Sequence, residues 1–260
     1  MQRSLVIGNW KMELSQGGEM ALARALKRHQ KEFPDIVEVV VCPSFPSLPL
    51  LCDLLAGTVI AVGAQHVHHE EKGAWTGGVS VSQIAPFSRY CLVGHSEVRA
   101  AFGQRDDDVE RAVHLLLRYG LAPIVCLGET ADERAADQTI EKISAQMDTL
   151  LRKMTRASLS KVVLAYEPIW AISAQAPTQL PEPGEVSGVM LLMRKLIAER
   201  FDRDTAQRVR LVYGGSVKSE TAGLYAREPG VNGLLVGAAS LEPRKFLAIV
   251  NAVGDAVSAA

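Results

Sequence analysis

Val162-Val163-Leu164-Ala165-Tyr166-Glu167-Pro168 is a run of five apolar residues that ends abruptly in a carboxylate and a proline. An apolar run without polar alternation is what a strand covered on both faces requires, and such strands are characteristic of parallel sheets. Working outward, seven similar runs recur: Leu5 to Gly8, Ile36 to Cys42, Val59 to Gly63, Tyr90 to Gly94, Ala122 to Leu127, Val209 to Tyr213 and Gly233 to Gly237. Between them the apolar residues take helical spacing, as in Val109, Ala112, Val113, Leu116 and Leu117, or in Val186, Val189, Met190, Met193, Leu196 and Ile197. The first of these helices is announced by Asp106 to Asp108 and stopped by Gly120. Eight strand and helix alternations in 260 residues predict an α/β chain folded as a (βα)8 barrel, because a doubly wound sheet uses fewer strands. Residues 1–254 read as this single domain and 255–260 as a short tail, with weak structure expected after about Asn251, where the chain turns small and polar.

Composition narrows the function classes. Lys and Arg number 28 against 29 Asp and Glu, a formal charge of -1 that offers no global field to a polyanion or an anionic membrane. Nucleic acid and membrane are therefore not expected as partners. No apolar run approaches the roughly eighteen residues of a membrane helix, and Asn9 and Lys11 interrupt the start where a signal peptide would stay apolar, so the expectation is a cytoplasmic protein. Cys42, Cys52, Cys91 and Cys126 are scattered without a CxxC pair, as reduced thiols would be.

In a (βα)8 barrel, polar residues at the carboxyl ends of the strands point into one shared pocket. Here those residues are Asn9 and Lys11 after the first run, His95, Ser96 and Glu97 after the fourth, Glu167 after the sixth, Gly214, Gly215 and Ser216 after the seventh, and Gly237 and Ala238 after the eighth. Glu167, fixed by Pro168 behind it, is the candidate base. His95 precedes a helix start whose positive end should lower the imidazole pKa and keep the ring neutral. Lys11 supplies a point charge for a phosphate or an oxyanion, and the glycine-rich turns after the seventh and eighth runs suit an anion held by backbone amides. Taken singly, Glu167 reads as well as a rim ion pair, His95 as a structural histidine and Lys11 as a solvated lysine. Only their convergence favours chemistry. His66, His68, His69, Glu70 and Glu71 form the one metal-like cluster, but they lack helical ligand spacing, so no metal is expected. Without a Walker loop, GxGxxG, GxSxG or HExxH motif, cofactor-free chemistry is indicated.

The chain resembles the triosephosphate isomerase family over nearly its whole length. The likeness is carried by Gly8-Asn9-Trp10-Lys11-Met12, Gly63-Ala64-Gln65, Glu71-Lys72-Gly73-Ala74-Trp75-Thr76-Gly77, Gly94-His95-Ser96-Glu97, Cys126-Leu127-Gly128-Glu129-Thr130, Ala165-Tyr166-Glu167-Pro168-Ile169-Trp170-Ala171-Ile172, Tyr213-Gly214-Gly215-Ser216-Val217 and Val236-Gly237-Ala238-Ala239-Ser240-Leu241. The resemblance implies a TIM barrel and a cofactor-independent aldose-ketose isomerase of glycolysis and gluconeogenesis, interconverting dihydroxyacetone phosphate and D-glyceraldehyde 3-phosphate through an enediolate. It implies Glu167 as the base, His95 as the electrophile that shuttles protons, Asn9 and Lys11 as substrate-holding groups, and Ser96 and Glu97 as support. It also implies that amides of Ser173, Ser216, Gly237 and Ala238 grip the phosphate. Residues 65–78 correspond to an arm that enters a second subunit and brings Thr76 to the partner's site, so a homodimer is implied. The chain departs from the family where Gly-Thr-Gly-Lys-Thr-Ala is replaced by Ser173-Ala174-Gln175-Ala176-Pro177-Thr178 in the closing lid. Ala238 replaces a glycine, His66 an asparagine, and Gly78 and Val98 a Glu and an Arg of the dimer interface. The altered lid keeps two other readings open: the same chemistry on a tetrulose phosphate, and a non-catalytic barrel that binds sugar phosphate.

Overall fold

The computed structural model describes residues 2–172 and 179–259. Within them lie eight parallel strands, β1 (Ser4–Asn9), β2 (Val37–Cys42), β3 (Ile60–Ala64), β4 (Tyr90–Val93), β5 (Ala122–Leu127), β6 (Val163–Tyr166), β7 (Arg210–Tyr213) and β8 (Gly233–Val236). They pair in sequence order and close into a barrel, with Leu5 of β1 in register with Gly233 of β8. The (βα)8 fold class read from the apolar runs is the observed one.

The runs are continuous because both strand faces are buried. Side chains alternate across a strand, so Leu5 and Ile7 of β1 point into the barrel while Val6 points out toward the helices. The interior is filled by Leu5, Ile7, Val40, Cys42, Tyr90, Leu92, Ile124, Cys126, Val163, Ala165, Val212 and Leu235, which leaves a packed core rather than a pore. At the amino-terminal end of the barrel, Glu38 accepts hydrogen bonds from the Tyr90 hydroxyl at 2.8 Å and from Arg210 Nη1 at 2.7 Å, closing the floor with polar groups. Burial opposes the Glu38 carboxylate, but Tyr90, Arg210 and Arg89 outweigh it and hold its pKa below the ordinary value.

Around the barrel, α1 (Gln16–His29) is capped by the Ser15 hydroxyl, which accepts from Gly18 N–H at 3.2 Å. It is followed by α2 (Leu48–Leu55), α3 (Val81–Ile84), α4 (Ser96–Phe102) and α5 (Asp106–Arg118). The later half carries α6 (Ala131–Ala135), α7 (Thr139–Leu151), α8 (Arg156–Leu159), α9 (Pro183–Arg200), α10 (Arg203–Arg208), α11 (Ser219–Ala226) and α12 (Pro243–Ser258). The expectation of weak structure after about Asn251 is corrected, because α12 continues through Ser258. Val253, Gly254 and Ala256 are buried on it, and Gly254 lies so close to Pro34 that a side chain at this position would collide with the ring. The small residues that looked like a tail are there so that the helix can approach the loop before β2.

Candidate active site

At the end of β4, Gly94 takes φ +71°, with the Arg99 guanidinium and the Cys126 carbonyl where a side chain would be. This turn brings His95 to the barrel mouth as the residue before α4. The Glu97 N–H of the helix's first turn donates to His95 Nδ1 at 3.3 Å. The other ring nitrogen, Nε2, stands 2.8 Å from Glu167 Oε1, and the second Glu167 oxygen accepts the Ser96 N–H at 3.0 Å. Glu167 follows β6 directly and is 3% exposed. Its burial favours the neutral acid, but His95 and Ser96 together hold the pKa below the ordinary carboxylate value.

One expectation is corrected here. The helix start supports His95 as anticipated, yet the imidazole pKa is raised, not lowered. Burial disfavours the imidazolium and Lys11 adds to that, but the Glu167 charge and hydrogen bond, joined by Glu97, more than offset both. The partner responsible is remote in sequence and local only in the fold.

Lys11 sits on the loop after β1 in the left-handed region, at φ +53°, which costs a non-glycine residue roughly 1–2 kcal/mol. Neighbours fix it there. Its N–H donates to Asn9 Oδ1 at 3.1 Å, and Gln65 Nε2 donates to the Lys11 carbonyl at 2.8 Å and to that of Cys42 at 2.9 Å. The ammonium lies 2.6 Å from Glu97 Oε1. Asn9, Lys11, His95, Glu167 and Gly237 thus line one cleft, together with Gly214, Gly215, Ile172 and Leu235.

Ser216 and Ala238 do not line that cleft but an adjoining depression shared with Lys218 and Lys245. The loop after β7 is tied to the segment after β6, since Ser216 N–H donates to the Ala171 carbonyl at 2.9 Å. Ser173, and with it the lid Ser173 to Thr178, lies outside the described residues. Thr76 is exposed on the arm, away from the cleft of its own chain.

Sequence reading passed over several residues that shape the site. Gln65 stands just beyond β3, and its strand-end position is the signal that finds it. Glu129, just beyond β5, accepts the Tyr166 hydroxyl at 3.1 Å and Trp170 Nε1 at 2.9 Å, and Arg134 covers the Trp170 ring at 4.1 Å. These contacts anchor the chain leading toward the lid.

A buried carboxylate against an imidazole, with a lysine beside them at the carboxyl end of a closed (βα)8 barrel, defines a barrel enzyme equipped for proton transfer. The sequence profile described as triosephosphate isomerase matches residues 4–253. The triosephosphate isomerase of Herminiimonas arsenicoxydans is 41% identical over 254 residues, covering 97% of this chain and 100% of that protein. Those of Alkaliphilus oremlandii (strain OhILAs), 38% identical over 254 residues, and Symbiobacterium thermophilum, 37% over 258, cover 96% and 98% of this chain and 100% and 99% of their own lengths. The chain belongs to the triosephosphate isomerase family, and its chemistry is in general terms that of an isomerase.

Proposed function

We propose that the protein interconverts dihydroxyacetone phosphate and D-glyceraldehyde 3-phosphate. The observation that carries this reading is the Glu167 carboxylate held at 2.8 Å from His95 Nε2 in a cleft that also contains Lys11. Glu167 takes the proton from the carbon beside the carbonyl, and the C–H electron pair becomes the double bond of an enediolate. His95 gives a proton to the carbonyl oxygen and takes one back from the neighbouring hydroxyl, whose oxygen becomes the new carbonyl, while Glu167 returns its proton to the former carbonyl carbon, so the step balances without an external oxidant or reductant. Once Glu167 turns to the substrate carbon, the larger influence that raises the His95 pKa departs and only the Glu97 charge still favours the imidazolium. Burial, Lys11 and the Glu97 amide then favour a neutral ring that acts as a hydrogen-bond donor. Lys11 and Asn9 balance the developing negative charge. The phosphate is held by amides of Gly237 and Ala238, and by that of Ser216 once its N–H leaves the Ala171 carbonyl, with Ser173 as a fourth contributor from the lid.

The second subunit of a homodimer would cover the surface around the arm. Met12, Trp75 and Phe102 are 94%, 54% and 78% exposed there, and Gln65 joins the arm's root to Lys11. Such a grouping of exposed apolar side chains suits an interface. Thr76 would then reach the partner's site. Among the described residues no helix is long and apolar enough to cross a membrane, and the four cysteines are free. Both features support a cytoplasmic location.

A coupled assay of the purified chain with glyceraldehyde 3-phosphate, run beside a tetrulose phosphate, tests the assignment. Fast turnover of the triose with little of the tetrulose is expected. A preference for the tetrulose would replace the substrate, and inactivity on both would replace the reading with a sugar-phosphate-binding barrel.

A further inference from the structure

The arm carries three histidines that the isomerase chemistry does not use. His66 leaves its Nδ1 buried with no hydrogen-bond partner among the described residues, and its ring stacks on Phe102 of α4 at 6.5 Å between centroids, with the planes 12° apart. His68 accepts the Glu70 N–H on Nδ1 at 3.0 Å and packs against the rings of His69 at 4.5 Å and Trp75 at 4.6 Å, which lie 6.3 Å from each other. His69 points Nε2 toward Glu70 at 3.9 Å and Asp108 of α5 at 3.8 Å. Two ion pairs, Glu70 with Arg111 and Glu71 with Arg118, staple the arm to α5.

His66 and His69 are placed to resist a second proton. His66 has no acceptor for one, and the other charged groups acting on it are His68 and His69, whose protonation would repel it. α4 offers it only the face of Phe102. Facing His69 are Asp108 and Glu70, which favour its charge, and Arg111 and His68, which oppose it.

We propose that His66, with His69 behind it, forms a proton-operated latch: the arm stays seated while these two rings are neutral and is released reversibly in mild acid. Release acts on the catalytic cleft directly, because the residue next to His66 is Gln65, whose amide holds the strained Lys11 backbone to β2. Activity and subunit association would therefore be lost together. The association half of this inference rests on the homodimer proposed above, and the movement of the arm does not.

The direction follows from linkage. Burial, then His68 and His69, hold the His66 pKa down to about 4, against an ordinary value of 6.5 once the ring is free. The released arm therefore binds the proton more readily. The seated state loses stability as pH falls from about 6.5 toward 4, up to tenfold per pH unit for each proton taken up.

The test is a pH titration of the full chain from 7.5 to 4, followed by sedimentation, by tryptophan fluorescence with Trp75→Phe to assign the arm's signal, by far-UV circular dichroism and by activity after return to pH 7.5. The expected result is a reversible Trp75 transition, with loss of the dimer, at a pH where the dichroism is unchanged. His66→Asn, and His66→Gln as a second variant, should move the midpoint down by half a pH unit or more while keeping turnover at pH 7.5. A single subunit at pH 7.5 with the Trp75 transition intact would remove the proposed dimer and keep the latch. Identical midpoints in wild type and both variants, or a Trp75 signal that changes only with the dichroism, would overturn it.

Discussion

His95 Nε2 and Glu167 Oε1 face each other across 2.8 Å, so the proposed electrophile and the proposed base are paired with one another. This pairing raises the imidazole pKa above 6.5 and lowers that of the carboxylate below 4.5. Nitrogen NMR of the His95 ring should show it titrating above its ordinary value in the free protein. With a bound phosphate analogue that draws Glu167 away, the ring should take up its proton only at a lower pH than in the free protein. Protonation in the analogue complex at a pH equal to or above that of the free protein would contradict the sequence of events proposed for catalysis.

Glu167→Gln keeps the shape of the side chain and removes its basicity. Turnover should fall by about 10²–10⁴-fold, the range of a general base, with an unchanged far-UV spectrum. Steady-state kinetics against the triose phosphate provide the check, and near-wild-type turnover would remove Glu167 from the role of base.

Gln65→Leu would leave the carbonyls of Lys11 and Cys42 without the amide that now serves both. Lys11 would then relax from its left-handed conformation. A loss of about 1–3 kcal/mol in the bound transition state, or roughly ten- to a hundredfold in kcat/KM, is expected. The loss should appear with little change in thermal stability, as measured by calorimetry beside the kinetics.

On the barrel floor, Arg210→Met would leave Glu38 with the Tyr90 hydroxyl and the more distant Arg89. Breaking a buried pair from one side costs about 3 kcal/mol, which urea unfolding would detect. The same pair makes a pH prediction for the wild type. Because the Glu38 pKa is lowered on folding, its contribution is fully present above pH 4.5 and declines as pH falls through the folded value. The Arg210→Met variant should lose part of this acid dependence.

The barrel was legible because burial on both strand faces is written directly as unbroken apolar runs, and Leu164 and Ala165, on opposite faces of one strand, are equally sequestered. Candidate site residues were legible from the same runs, through the polar groups that terminate them. Contacts between distant segments were not. The upward shift at His95 depends on Glu167, the conformation of Lys11 depends on Gln65, and the order at Gly254 depends on Pro34. In each case the partner lies on a different part of the chain, and local pattern carries no record of it. The departures at Gly78 and Val98 were visible, but the pairs Glu70–Arg111 and Glu71–Arg118, which fasten the arm within its own chain, emerge only from the fold.

The filled interior, from Leu5 and Val163 up to Cys126 and Leu235, together with the Glu38, Tyr90 and Arg210 floor, makes the cleft a blind alley. Whatever enters at the mouth must leave by the same door. In the proposed reaction, aldose and ketose would therefore compete for one form of the protein, each inhibiting the other competitively, and the direction of net flux would be left to their concentrations outside.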